Sequence, residues 1–228
     1  MESVTALSSL PPAADRSLPV HEPLTPLLPV GLQRRWIVGC TGSAAMSLAL
    51  AVAGRAVSEG SWLAAVGVPA LGVEAAAELG VPLSRLVAVD AGTGPTTWAE
   101  RIVAALDGFE LILTQAPPGA ERMARQIRHR LQAKGAVLLV VSHAAPTVGC
   151  DLELTSGEVR WTGLGAGHGH LVARRVSVRA GGRRMPGVAR CDLWLPGPDG
   201  RLAVAETSDE TAIPETSDET AGLRRVVA

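Results

Sequence analysis

The stretch with the most bearing on chemistry is Gly39-Cys40-Thr41-Gly42-Ser43-Ala44-Ala45-Met46-Ser47. The apolar run Trp36-Ile37-Val38-Gly39-Cys40 leads into it, and apolar residues at helical spacing follow it from Ala44 to Glu59. A glycine-containing turn between a first strand and a first helix is the place of a phosphate-binding loop. The working pattern of such a loop is G-x-x-x-x-G-K-[ST]. Its second glycine lets the backbone approach the phosphates, its lysine reaches the β and γ oxygens, and its hydroxyl holds magnesium. With the pattern begun at Gly39, Ala44 stands at the second glycine, Ala45 at the lysine and Met46 at the hydroxyl. All three groups are missing, and Lys134 is the only lysine in the chain. Backbone amides at a helix start still attract anions. Without the lysine and the magnesium ligand, however, phosphoryl transfer loses most of the charge neutralisation it needs. The expectation is a plain tight turn.

The other reactive residue types form weaker sets. His168 and His170 are two apart, which on a strand puts both on one face. No carboxylate or thiol is near them in sequence, so a β-turn with ordinary hydrogen bonds is expected, and no metal. Ser142-His143 are neighbours at a strand end and face opposite ways, which does not suit a nucleophile and its base. Cys40, Cys150 and Cys191 form no C-x-x-C pair and are expected as free thiols in a reducing cytoplasm. Trp36, Trp62, Trp98, Trp161 and Trp194 are spread along the chain and are expected to pack rather than to stack on bases. Arginine is the strongest remaining signal. Residues 159–191 carry Arg160, Arg174, Arg175, Arg179, Arg183, Arg184 and Arg190 with no acid, and residues 120–134 add Arg122, Arg125, Arg128, Arg130 and Lys134. Such density suits phosphates or an acidic protein partner. Arg122, Arg125, Arg128, Arg174, Arg175, Arg179, Arg183 and Arg184 are the candidate contacts, with Arg183-Arg184 expected at a mobile hairpin tip.

These residues must be positioned by a fold that the apolar pattern outlines. Strand candidates at Trp36–Cys40, Trp62–Val68, Leu86–Asp90, Phe109–Thr114 and Ala136–Ser142 alternate with helix candidates at Ala44–Glu59, Val73–Leu79, Thr96–Leu106 and Ala120–Ala133. Thr96 or Thr97 is the expected cap of the third helix. Strands apolar throughout, separated by helices, predict a parallel sheet covered on both faces. Leu152–Trp161, Gly169–Ala180 and Val188–Leu195, joined by glycine-rich turns, predict an antiparallel β extension. Residues 1–18 are expected to be disordered, residues 19–200 to form one α/β domain, and residues 201–228 to be an acidic low-complexity tail. Within that tail Glu206–Ala212 recurs as Glu215–Ala221. The 228 residues suit one such domain. The net charge of −1 excludes a chain that attracts polyanions as a whole, and 19% charged with 47% hydrophobic residues is an ordinary balance. No leader and no membrane span are expected.

One segment resembles a known family. Ala70-Leu71-Gly72-Val73-Glu74-Ala75-Ala76-Ala77-Glu78-Leu79-Gly80-Val81 is similar to the A-L-D-P-x-x-A-x-x-L-G-V stretch of RecA recombinases, and the likeness extends over roughly residues 23–200. RecA-like ATPases carry an acidic catalytic residue after the second strand, where Val68 stands here. They carry an aspartate closing a later strand, where Gln115 stands. With Leu18-Pro19-Val20-His21-Glu22 near the start and Trp161-Thr-Gly-Leu-Gly-Ala-Gly-His-Gly-His-Leu171 late, the chain resembles the actinobacterial ImuA-prime family. That resemblance implies a RecA-like sheet without ATPase activity or cofactor, acting as an adaptor in damage-induced translesion synthesis. The implied partners are ImuB, an inactive relative of Y-family polymerases, with RecA and an error-prone DnaE-type polymerase beside it, and single-stranded DNA is a candidate ligand. Two other readings stay open: a weak nucleotide-dependent DNA-binding ATPase, and a regulator of recombinase filaments.

Overall fold

The computed structural model describes residues 16–143, 148–164 and 169–205. Nine strands form one mixed sheet. β3 (Ile37–Thr41), β4 (Leu63–Val66), β5 (Leu86–Val89), β6 (Leu111–Thr114) and β7 (Val137–Ser142) are parallel, and β8 (Leu152–Leu164) joins β3 in parallel on its free side. β9 (Gly169–Gly181), β10 (Ala189–Trp194) and β11 (Ala203–Val204) then continue antiparallel from β8. The sheet order is β11-β10-β9-β8-β3-β7-β6-β4-β5. A two-stranded ribbon, β1 (Ser17–Leu18) with β2 (Leu32–Gln33), stands apart from it. The α/β class, the mostly parallel sheet and the antiparallel extension are those read from the sequence.

The four α-helices between β3 and β7 divide by direction of travel. α1 (Ala45–Ser58) and α2 (Val73–Glu78) carry the chain outward from β3 to β4 and on to β5. α3 (Gly94–Ala105) and α4 (Ala124–Lys134) carry it back through β6 to β7. Right-handed crossovers running in opposite directions must cover opposite faces. Two buried clusters result, one holding Leu48 to Val57 of α1, and one holding Trp98 and Ile102 of α3 with Ile127 and Leu131 of α4. α1 is buried almost all round and is rich in alanine, so neighbouring backbones approach closely. At Gly54 a Cβ would lie 2.1 Å from the Leu79 carbonyl oxygen, so only glycine admits the end of α2 there.

Local departures from the expectations have local causes. α3 begins at Gly94 after Thr93, not at Thr96 or Thr97, because Pro95 fits a first helical turn whose N–H groups have no partners anyway. The expected helix at 120–133 divides into a 3-10 turn, Ala120–Met123, and α4. Ordered pairing starts at Ser17 and Leu18, inside the stretch expected to be disordered, because Leu18 is buried against the core. The sheet also takes in Ala203–Val204, past the expected domain end at 200. The acidic repeat lies outside the described residues.

Candidate functional site

The β3–α1 connection is closed by a side chain from β8. β3 runs through Thr41, so Gly39 is a strand residue held between Val140 and Glu153. Only Gly42, Ser43 and Ala44 remain to reach α1. Ser156 Oγ donates to the Thr41 carbonyl at 2.8 Å and accepts from the Ala44 amide at 3.0 Å. One buried hydroxyl therefore joins the last carbonyl of the strand to an amide at the helix start. Gly42 is at φ +90°, and a Cβ there would lie 2.2 Å from Ser156 O. Thr41 Oγ1 turns away to Thr155 Oγ1 at 3.1 Å. Ala44 and Ala45 are buried and Met46 is half-buried. An anion cradle needs amides that face open space, whereas the Ala44 amide faces Ser156.

The open space at this edge of the sheet lies elsewhere. The loops after β4 and β6 leave toward opposite faces, which opens a crevice between adjacent carboxyl ends. A hollow of about 310 Å³ sits there, lined in part by Gly67, Pro69, Trp98, Gln115 and Pro117. It adjoins a second of about 590 Å³ lined in part by Val68, Leu71, Val73, Asp90 and Gly92. Of the residues singled out by the motif comparison, Val68 and Gln115 line these hollows, while Gly39, Ala44, Ala45 and Met46 line neither. Asp90 is the only ionisable residue in either lining, and its carboxylate accepts from the Gly92 amide. Beside the crevice, Trp98 Nε1 donates to Thr114 Oγ1 at 2.8 Å, and Thr114 Oγ1 donates to the Val66 carbonyl at 2.8 Å. That buried chain ties α3 to the ends of β4 and β6. The glycines and prolines after β4, β5 and β6 were the signal that could have found the crevice.

The charge collects at the opposite edge. Asp151 precedes β8, and its side chain is 0% exposed. It accepts from the Ile37 amide at 3.0 Å and from Arg128 Nη1 at 2.8 Å, and Arg183 Nη2 and Arg184 Nε lie 3.1 and 3.3 Å away. Burial pushes the Asp151 carboxyl up, but the Ile37 amide and the guanidiniums of Arg128 and Arg184 outweigh burial and hold it below the ordinary carboxylate range. Arg128 Nη2 also donates to Gly149 O at 2.7 Å. A Cβ on Gly182 would lie 2.6 Å from Asp151 O, so a glycine is required for the β9–β10 turn to seat against Asp151. Arg183 and Arg184 stand in the β9–β10 hairpin turn, where the sequence placed a hairpin tip, and both pair with Asp151. Asp151 was missed because nothing local marks it: Arg128 and Arg183 lie 23 and 32 residues away, and Arg184 follows Arg183.

The remaining candidate arginines separate. Arg174 donates to Leu195 O at 2.6 Å and covers the Trp161 ring at 5.1 Å, and Arg175 pairs with Asp192 at 2.9 Å. Arg179 is exposed on β9 opposite Arg190, and Arg122 and Arg125 are exposed at the start of α4. Trp98 is buried as expected, while Trp62 and Trp161 are 43% and 44% exposed. The three cysteines are free, and burial pushes the thiols of Cys40 and Cys150 up, which leaves them poor nucleophiles. His168 lies outside the described residues. Among the described residues no group of three or more histidine, cysteine or carboxylate side chains is placed to hold a metal, and no helix is long and apolar enough to cross a membrane.

Comparison with curated proteins finds no match. A family model, the MT3502 N-terminal domain, matches residues 26–147, which take in the altered loop, the crevice and the parallel strands from β3 to β7. The match covers more than half of the 228 residues, and the chain belongs to the MT3502 N-terminal domain family.

Proposed function

We propose that the chain is a non-catalytic, RecA-like adaptor of a damage-induced mutagenesis complex, of the ImuA-prime kind. It would bind an inactive Y-family polymerase relative of the ImuB type, with RecA and an error-prone DnaE-type polymerase as further partners. The observation that carries the non-catalytic half is the Ser156 hydroxyl set between Thr41 O and the Ala44 amide. Phosphoryl transfer is almost entirely positioning and charge stabilisation. Here the amide that would position an anion is engaged within the fold, and the lysine and metal-binding hydroxyl are Ala45 and Met46. Val68 and Gln115, at the positions of the two catalytic acids, line an apolar crevice instead. The partner half is supported by the resemblance at residues 70–81 and 161–171. The test is affinity purification of the tagged full chain from DNA-damaged actinobacterial cells, with mass spectrometry of what stays bound. Recovery of an ImuB-type protein or RecA is the expected result. Recovery of neither, with nucleotide retained by the purified chain, overturns the reading.

A further inference from the structure

The fold brings together two arginine groups that are far apart in sequence. Arg128 of α4 meets Arg183 and Arg184 of the β9–β10 turn on the single carboxylate of Asp151. The carboxylate is fully buried, yet Arg183 and Arg184 remain 67% and 51% exposed. Each guanidinium has five N–H groups in a fixed fork. Asp151 and the Cys150 carbonyl engage only part of each fork, and the rest faces solvent. From Arg128 the row continues along α4 to Arg125, and Arg122 stands three residues earlier in the 3-10 turn that leads into the helix. Side chains so spaced are neighbours on a helix surface, about 5–6 Å apart. Ile127 and Leu131 hold the other side of α4 in the core, which turns Arg125 outward, and Arg122 is exposed in the turn before it.

We propose that Arg122, Arg125, Arg128, Arg183 and Arg184 form a track for the phosphodiester backbone of single-stranded nucleic acid, with Asp151 as the positioning residue that holds three of them in place. This goes beyond the adaptor reading and does not depend on which protein partner is bound. One buried carboxylate, with exposed Glu121 and Glu153 as the nearest acids along the chain, leaves the five guanidiniums in excess. Protein hot spots set Trp, Tyr and Arg anchors in desolvated, well-packed surroundings. Val188 is the one exposed large apolar side chain in the turn, which suits phosphate contact better than a protein hot spot. Arg174 and Arg175 are left out, because each is engaged within the sheet.

The experiment is fluorescence anisotropy of a labelled oligothymidine with the full chain across a salt series. Single-stranded binding loses about 0.7 log units of affinity per log unit of salt for each phosphate contacted, so three to five contacts give a slope of about −2 to −3.5. Arg183→Glu with Arg184→Glu is expected to weaken binding at least about tenfold and to flatten the slope by about 1.4, two contacts' worth. Arg122→Glu with Arg125→Glu leaves the Asp151 cluster intact and serves as a second variant should the first unfold; the same loss is expected. Arg201→Glu, exposed at the opposite edge of the sheet, is expected to bind as the parent does. No binding at low salt, no loss in the Arg122/Arg125 variant, or an equal loss in Arg201→Glu overturns the proposal. So does polyglutamate displacing the oligonucleotide at equal charge concentration, which would make the track a site for acidic protein.

Discussion

The two edges of the parallel sheet carry different chemistry. At the carboxyl edge, where open α/β sheets hold ligands, most of the lining side chains are small or apolar, with Asp90 and Gln115 among them, and the β3–α1 turn is tied off by Ser156. At the amino edge, which in such folds is ordinarily structural, a buried carboxylate gathers three arginines. The difference teaches that a parallel sheet can gather its buried charge at the amino ends of its strands while a hydroxyl from a neighbouring strand closes the turn at a carboxyl end.

The contrast can be tested by substitutions, from the largest effect down. Asp151→Ala removes the acceptor of the Ile37 amide and sets three guanidiniums against one another. It is expected to cost about 3–5 kcal/mol, read by chemical denaturation. Ser156→Ala leaves the Ala44 amide and the Thr41 carbonyl without that partner, and a loss of about 1–3 kcal/mol is expected on the same measurement. If the two edges were alike, these losses would be equal. Restoring the phosphate-loop chemistry with Ala44→Gly, Ala45→Lys and Met46→Thr together is expected to give no release of phosphate from ATP, because Ser156 still closes the turn and Val68 and Gln115 still stand for the acids. Turnover in that triple variant would show that the loop alone had silenced the site. Asp192→Asn breaks a pair with Arg175 that is partly exposed, and no more than about 1 kcal/mol is expected.

Acid should distinguish the edges too. The Asp151 carboxyl is lowered in the folded chain relative to an unfolded value near about 3.9. Its stabilisation is therefore present above that value and is lost as the pH falls through the folded one. Denaturation midpoints are expected to drop below about pH 5, with a shallower drop in Asp151→Asn. Asp107, lowered by Lys134 and Arg130, and Glu110, where Arg34 and Ser61 together outweigh burial, contribute to the residual slope.

What could be read from the sequence follows from how locally it is encoded. Five apolar runs became five parallel strands because a strand buried on both faces must be apolar throughout. The losses at Ala44, Ala45 and Met46 were plain because a motif is a local pattern. Ser156 and Asp151 were not legible. Each acts on a residue more than a hundred positions earlier, Ser156 on Ala44 and Asp151 on Ile37, and a serine on a strand or an aspartate before one carries no local sign of that role. The crevice was missed for a related reason, since it belongs to the divergence of two loops rather than to any one of them.

The parallel neighbours of β3 are β7 and β8, and β8 begins at Leu152, after the family match ends at 147. A ribosome delivers the first strand of the core well over a hundred residues before its second neighbour. Until then Ile37–Thr41, five residues all buried in the finished fold, presents an open ladder edge of the kind that recruits foreign strands. The sheet that shields β3 on both sides therefore extends beyond the span that the family model matches. A fragment cut at residue 147 would have the family's pattern, an unprotected edge through the middle of its sheet, and a strong tendency to aggregate.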